Sequence, residues 1–116
     1  MGIDFSHGDA HWSYGGFHRF RILIAENCNI NLSEMEGFGG TKSWENIDDP
    51  IVPFLYHSDC DGKLSPKECK MIIPRLRELI KMIPEEDQYQ YDITMGLELV
   101  EGMTLASSCN EDLIFC

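Results

Sequence analysis

The chain has 116 residues, 43% of them apolar, and a formal net charge of −11. That length is one domain, 1–116, by the usual prior, and the apolar and aromatic content excludes global disorder. The charge disfavours DNA, RNA and anionic membranes as direct partners, and no apolar run approaches the length of a membrane span.

Residues 1–16 are rich in glycine and aromatic side chains and read as an irregular arm. They lack the basic region and the apolar stretch of a signal peptide. His7, Asp9 and His11 alternate and would face one side if extended. Nothing nearby supplies a third and fourth metal ligand, so surface or packing roles are the simpler expectation. Residues 17–28 fit a helix through Phe17, Phe20, Ile24 and Cys28, and a strand through Phe20, Ile22 and Ile24. The run Ala25-Glu26-Asn27 favours a helix that ends near Asn27 or Asn29. His18, Arg19 and Arg21 then fall mostly on the wet side. They form a basic spot able to pair with acidic residues near the C-terminus, or to meet a phosphate.

Residues 31–46 hold Gly37, Gly39 and Gly40 around Phe38. Gly40-Thr41-Lys42-Ser43 lacks the spacing of a phosphate loop. A connection anchored by Phe38 and Trp44 is expected, with a partner for the indole N–H. Asp49-Pro50 can cap a short helix from Pro50 to about His57, with Ile51, Phe54 and Leu55 on its apolar side.

The segment 57–68, HSDCDGKLSPKE, is the densest arrangement of spaced polar residues. With Gly62 as the turn glycine, Asp59 and Asp61 take the third and fifth positions of a twelve-residue loop. Lys63 would offer its carbonyl at the seventh, Ser65 stands at the ninth and Glu68 closes at the twelfth. That is most of the EF-hand scheme for calcium. His57 breaks it at position one, where a hard oxygen is expected. The same residues have local tasks. Ser65-Pro66-Lys67-Glu68 is a capping box with proline at the first helical position. Asp59 and Asp61 can bond their own turn. Zinc on His57, Cys60 and Cys69 is a further reading, and it needs a fourth ligand.

The strongest helix spans 66–83. Cys69, Ile72, Ile73, Leu76, Leu79, Ile80 and Ile83 repeat near 3.6 residues, with Lys67, Lys70, Arg75, Arg77, Glu78 and Lys81 mainly opposite. Pro74 should bend it or interrupt one hydrogen bond. A second long helix follows over 85–107. Tyr89, Ile93, Leu97, Val100 and Met103 or Thr104 are its expected buried side, and Gly96 a close crossing. Ser107-Ser108-Cys109-Asn110 ends it, and Leu113, Ile114 and Phe115 should dock back onto the body. Eight acidic residues and no basic one lie from Glu85 onward. That asymmetry suits a basic protein partner, or solubility alone.

The cysteines, Cys28, Cys60, Cys69, Cys109 and Cys116, are odd in number and irregularly spaced. That is no disulfide framework, and free thiols in a cytoplasmic protein are expected. No nucleophile, base and acid fall into a catalytic pattern. GGFHRFRILIAE (15–26), MEGFGG (35–40), DPIVPFLYHSDCDGKLSPKEC (49–69) and PRLREL (74–79) resemble a family of small bacterial and phage-associated proteins. The resemblance covers roughly 15–83. It implies a helical domain and carries no activity with it.

The expectation is thus an all-α, irregular helical domain of three or four helices, with one EF-hand-like helix-loop-helix over 49–83. Its function is expected to be non-enzymatic protein interaction or an accessory role, including an acidic mimic of nucleic acid. The alternatives are a calcium-binding regulatory domain and a metal-dependent hydrolase, with Asp59, Asp61, Lys63, Ser65, Glu68 and His57 as the metal residues.

Overall fold

A computed structural model describes residues 2–57 and 62–116. Strand β1 (Gly2–Asp4) pairs antiparallel with β2 (His11–Ser13), and β2 runs directly into helix α1 (Tyr14–Asn27). Short 3₁₀ turns at Leu32–Glu34 and Trp44–Asn46 lead to α2 (Val52–Leu55). Then come β3 (Lys63–Leu64), α3 (Pro66–Lys81), a 3₁₀ turn at Asp87–Tyr89, α4 (Gln90–Ser108) and β4 (Leu113–Ile114). Helices dominate, but β3 and β4 form a second antiparallel pair, so the all-α expectation is corrected.

The helix boundaries follow from local chemistry. Ser13 caps α1 by accepting the Gly16 N–H at 3.0 Å. Asn29 ends it in the left-handed region at φ 63°. The Ile30 N–H then reaches the Ala25 carbonyl and the Asn29 N–H the Glu26 carbonyl, the paired bonds of a Schellman ending. Helix α4 stops in the same way. Asn110 takes φ 55°, and the Glu111 and Asn110 N–H groups bond Ala106 and Ser107. Asparagine tolerates that conformation better than most side chains. The capping box at Ser65 is formed in full: Ser65 Oγ accepts the Glu68 N–H at 3.1 Å, and Glu68 Oε1 accepts the Ser65 N–H at 2.9 Å.

The stripe on α3 buries Cys69, Ile72, Leu76, Leu79 and Ile80 against α1 and α4. Pro74 lies on its exposed side and the helix continues past it. Gly96 of α4 marks the crossing, because an added Cβ there would stand 2.9 Å from Ile80 Cδ1 and 3.1 Å from the Phe20 ring. The buried face of α4 matches expectation at Val100 and Met103 and differs at Leu97. Leu99, Val100, Met103 and Ala106 are inside, and Leu97 is outside. Apolar residues cover most of this helix's circumference, so their period leaves its face open. The two glycines, 96 and 102, set it by letting neighbours approach.

Within the expected irregular arm, residues 2–13 form a hairpin and 14–16 already belong to α1. Ile3 and Trp12 face each other inward, while Asp4 and His11 pair outward with Oδ1 and Nδ1 2.8 Å apart. Its turn presses on α4 at Gly102, where an added Cβ would clash with the His7 carbonyl. Phe5, Trp12, Phe17, Phe20, Phe54 and Phe115 make a continuous aromatic cluster with centroid separations from 4.7 to 6.3 Å. The C-terminal tail does dock back. Phe5 and Phe115 form a β-bridge, and the Cys116 N–H bonds the Asp4 carbonyl. Leu113 and Phe115 are buried, whereas Ile114 faces outward.

Arg21 departs from the expected wet side. It is 2% exposed, one helical turn beyond Phe17 on the same face of α1. Its guanidinium lies 4.7 Å from the Phe17 ring centre and 5.2 Å from that of Phe38. Nη1 donates to the carbonyls of Leu55 and His57, where α2 ends. Replacing Arg21 with Ala removes this donor and strands those carbonyls beside the core. We expect a loss of roughly 2–4 kcal/mol in unfolding free energy, read from urea titrations. A loss under about 0.5 kcal/mol would show that the guanidinium carries no structural weight.

Candidate functional site

The predicted calcium loop divides into described and undescribed parts. Asp59 and Asp61, with Cys60, lie outside the described residues. The remaining expected ligands are occupied by other tasks. His57 Nε2 is 3.0 Å from the Lys63 carbonyl oxygen, the group expected to face the metal. The His57 ring stacks on Phe115 at 3.9 Å between centroids, 25° from parallel. Glu68 and Ser65 close the capping box on each other. The Gly62 carbonyl accepts the Phe115 N–H at 2.9 Å.

Among the described residues, no group of three or more His, Cys, Asp or Glu side chains can hold a metal ion. The expectation of metal binding is therefore corrected for the described members of the set, His57, Lys63, Ser65 and Glu68, while Asp59 and Asp61 lie outside the described residues. The physical reason is local. Among the described residues, hydrogen-bonding groups that a loop would turn toward an ion are turned instead toward the chain's own amides and carbonyls. In the zinc reading, the Cys69 thiol is fully buried and points at the Leu64 carbonyl, 3.9 Å away. His57 faces Phe115 instead.

The N-terminal histidines do not converge either. His11 pairs with Asp4 across the hairpin. His7 Nδ1 is 2.7 Å from Ser6 Oγ, and its Nε2 is 3.0 Å from Glu111 Oε1. Ser6 Oγ also accepts the Ile114 N–H at 2.9 Å. This hydroxyl–imidazole–carboxylate chain latches the hairpin to the C-terminal tail. Lys63 adds a second tie to the tail through Asp112, at 3.4 Å. Salt bridges to the C-terminal segment were expected from the basic spot at 18–21. Those among the described residues come from His7 and Lys63, while His18 stacks on Phe38.

A cavity of about 720 Å³ opens beside the end of α1, lined by Cys28, Asn31, Met35, Lys42, Asn46 and Asp49. Three of the charged groups that line it, Glu34, Lys42 and Asp49, are paired. Lys42 Nζ sits 3.3 Å from Glu34, and Arg75 grips Asp49 through two nitrogens at 2.9 to 3.2 Å. Burial works against the Asp49 carboxylate, yet the Arg75 hydrogen bonds outweigh it and hold its pKa below the ordinary value. Cys28 donates its S–H to the Ile24 and Ala25 carbonyls, and burial, aided by Asp49, raises its pKa. Cys69 is pushed up to about 11, first by burial and then by Glu68. Neither thiol is poised as a nucleophile.

The outward face of α4 is the remaining feature. Leu97 is 45% exposed and Leu105 is 50% exposed, two helical turns apart. Exposed Glu101 stands between them, with half-buried Glu98 beside it and exposed Thr94, Thr104 and Ser108 on the same side. No Lys or Arg follows Lys81 in the chain. A regular array of carboxylates does not form along the helix, which carries three acidic residues. One of them, Asp92, accepts the Trp12 indole N–H at 3.1 Å. The sequence misplaced Leu97 because apolar residues surround this helix. A helix turned by the contacts at Gly96 and Gly102 leaves it in solvent. Among the described residues no helix is long and apolar enough to cross a membrane.

Two measurements follow from the thiols and the ion pair. At about pH 8, iodoacetamide should label exposed Cys109 and Cys116 and spare Cys69 until the protein unfolds. Peptide mass spectrometry reads this, and rapid labelling of native Cys69 would contradict the burial. The Asp49 carboxylate titrates lower folded than unfolded. Its stabilisation is therefore present above the ordinary carboxylate range and is lost as pH falls through the folded value. Asp49→Asn should be less stable than wild type near neutrality, with the gap closing below about pH 4. A gap independent of pH would refute the ion-pair origin.

Comparisons with known proteins add no identification: no family model, no curated protein and no solved structure matches this chain.

Proposed function

We propose that this protein is a small, non-catalytic interaction protein that binds a basic, amphipathic protein segment on the outward face of α4. The observation that carries this reading is the pair Leu97 and Leu105. Both are about half exposed on a helix that has enough buried apolar residues to be held by its other side. Single exposed leucines are ordinary. Two of them eight residues apart on one helical face, with Glu101 between, give a partner two anchors about 12 Å apart. That is the spacing at which a docked helix places its own apolar residues.

Charge selects the partner. Every basic residue precedes position 82, and the turn before α4 exposes Glu85, Glu86 and Asp87. The neighbouring tail adds Glu111 and Asp112. A segment flanked by Lys or Arg gains attraction from this surround, and a second copy at −11 meets repulsion. The wider resemblance to small phage-associated proteins is compatible with an accessory role of this kind.

A test uses a synthetic helix with leucines spaced to match and lysines at its flanks, titrated into ¹⁵N-labelled protein. Shifts should concentrate at Leu97, Glu101 and Leu105, and affinity should fall as salt is raised. The double change Leu97→Asp with Leu105→Asp should weaken binding at least about tenfold while leaving the melting temperature near wild type. Equal binding by the double variant, or equal binding of a peptide with glutamate flanks, would sink the reading.

A further inference from the structure

We infer that the groove between α1 and the start of α4 binds a free α-amino acid with an apolar side chain. Two adjoining cavities, of about 410 and 320 Å³, share Arg19, Gln88 and Asp92 in their walls. Both sizes fall within the range of small-molecule sites, about 300–1,000 Å³. The two halves differ in chemistry. One runs past Ser13 and Gly16 and is polar. The other is walled by Ile22, Leu23 and Tyr89.

The shared boundary holds one charge of each sign. Arg19 is exposed and makes no hydrogen bond or ion pair with any described residue. Its guanidinium folds back over the first turn of α1, with Nη1 3.6 Å and Nη2 3.8 Å from where Cβ atoms would stand at Gly15 and Gly16. The two glycines leave room for that approach, and no acidic side chain in this turn neutralises it. Asp92 is held in place by the Trp12 indole, which donates to Oδ1 at 3.1 Å. Next to it, the Tyr91 hydroxyl donates to the His11 carbonyl and ties the start of α4 to the hairpin.

Arg19 and Asp92 line both cavities yet do not form an ion pair with each other. A ligand carrying a carboxylate and an ammonium on one carbon offers a partner of opposite charge to each. The guanidinium takes the carboxylate and Asp92 takes the ammonium, both as charge-assisted hydrogen bonds. The Gln88 amide can serve either group. The ligand's side chain then enters the half walled by Ile22, Leu23 and Tyr89. A peptide N-terminus brings the ammonium without the adjacent carboxylate, and a peptide C-terminus brings the reverse. The free amino acid is the species that satisfies both charges and the apolar wall together. This site is separate from the outward face of α4, so it stands independently of the docking reading.

The experiment titrates L-leucine into ¹⁵N-labelled full-length protein and follows the Trp12 indole and the amides of Gly16 and Gln88. A saturable shift at millimolar concentration or below is expected. Two analogues keep the test independent of any variant. 3-Methylbutylamine lacks the carboxylate, and 4-methylpentanoate lacks the ammonium. Each should bind at least about tenfold more weakly than leucine. Arg19→Ala and Asp92→Asn should weaken leucine by a similar factor, and asparagine can still accept the Trp12 N–H. The absence of a shift with leucine overturns the proposal. So does binding of either analogue as tightly as leucine, or of leucine equally by both variants.

Discussion

The buried guanidinium of Arg21 is the constraint on which the arrangement of elements turns. Taking such a group out of water costs several kcal/mol before any compensation. Here it lies against the faces of Phe17 and Phe38 and donates to the carbonyls at which α2 ends. A one-turn helix cannot hold itself together by its own cooperativity. The donor that finishes it comes from α1, more than thirty residues earlier. Because Arg21 needs those carbonyls and the carbonyls need a donor, α1, the Phe38 connection and α2 are placed as one unit. Phe54 and Leu55 of α2 then reach the core with Phe17 and Phe20.

The C-terminal tail completes what Arg21 begins. Phe115 packs on Phe5 and stacks on His57, and its amide takes the Gly62 carbonyl. The tail thereby joins the hairpin to two points of the former loop candidate, His57 and Gly62. Ser6, His7 and Glu111 close the same junction at the surface. Of the described groups in the expected calcium loop, His57 and Gly62 help fasten the tail, while Ser65 and Glu68 cap α3. Polar residues at ion-loop spacing serve here as turn and cap chemistry, since a hydrogen bond to the backbone and a bond to a cation compete for the same lone pairs.

Charge is sorted along the chain and, with it, over the surface. The exposed side of α3 carries Lys67, Lys70, Arg77 and Lys81, while α4 and its flanks carry acids. The two helices pack on each other, so opposite signs border one α3–α4 layer. Net charge governs solubility and association more than fold. The core is insensitive to this sorting. What it shapes is the choice of partner on the outward face of α4, where Leu97 and Leu105 stand clear of the aromatic core.

Much of the framework is legible in the sequence. The capping box at Ser65, the 3.6-residue stripe of α3, the close crossing at Gly96, the asparagine helix ends and the docking of Phe115 are each written in a few adjacent residues. Such features depend on contacts no more than about four residues apart, or on a side chain whose size requires burial. The hairpin was not legible, because strands of three residues are too short to display alternation. Arg21 misled by its charge, since its burial depends on carbonyls that only the fold brings near. The face of α4 misled because a helix apolar nearly all round has no preferred side until its neighbours take one. Sequence alone determined the start of α3 at Ser65 and the asparagine ends of α1 and α4, since caps are local physics, whereas α4 begins at Gln90 and not at the expected 85 because no side chain caps it there. Only the tertiary structure decided which groups face each other across the chain, because those choices rest on distant donors, ring faces and glycine-sized gaps that no short window contains.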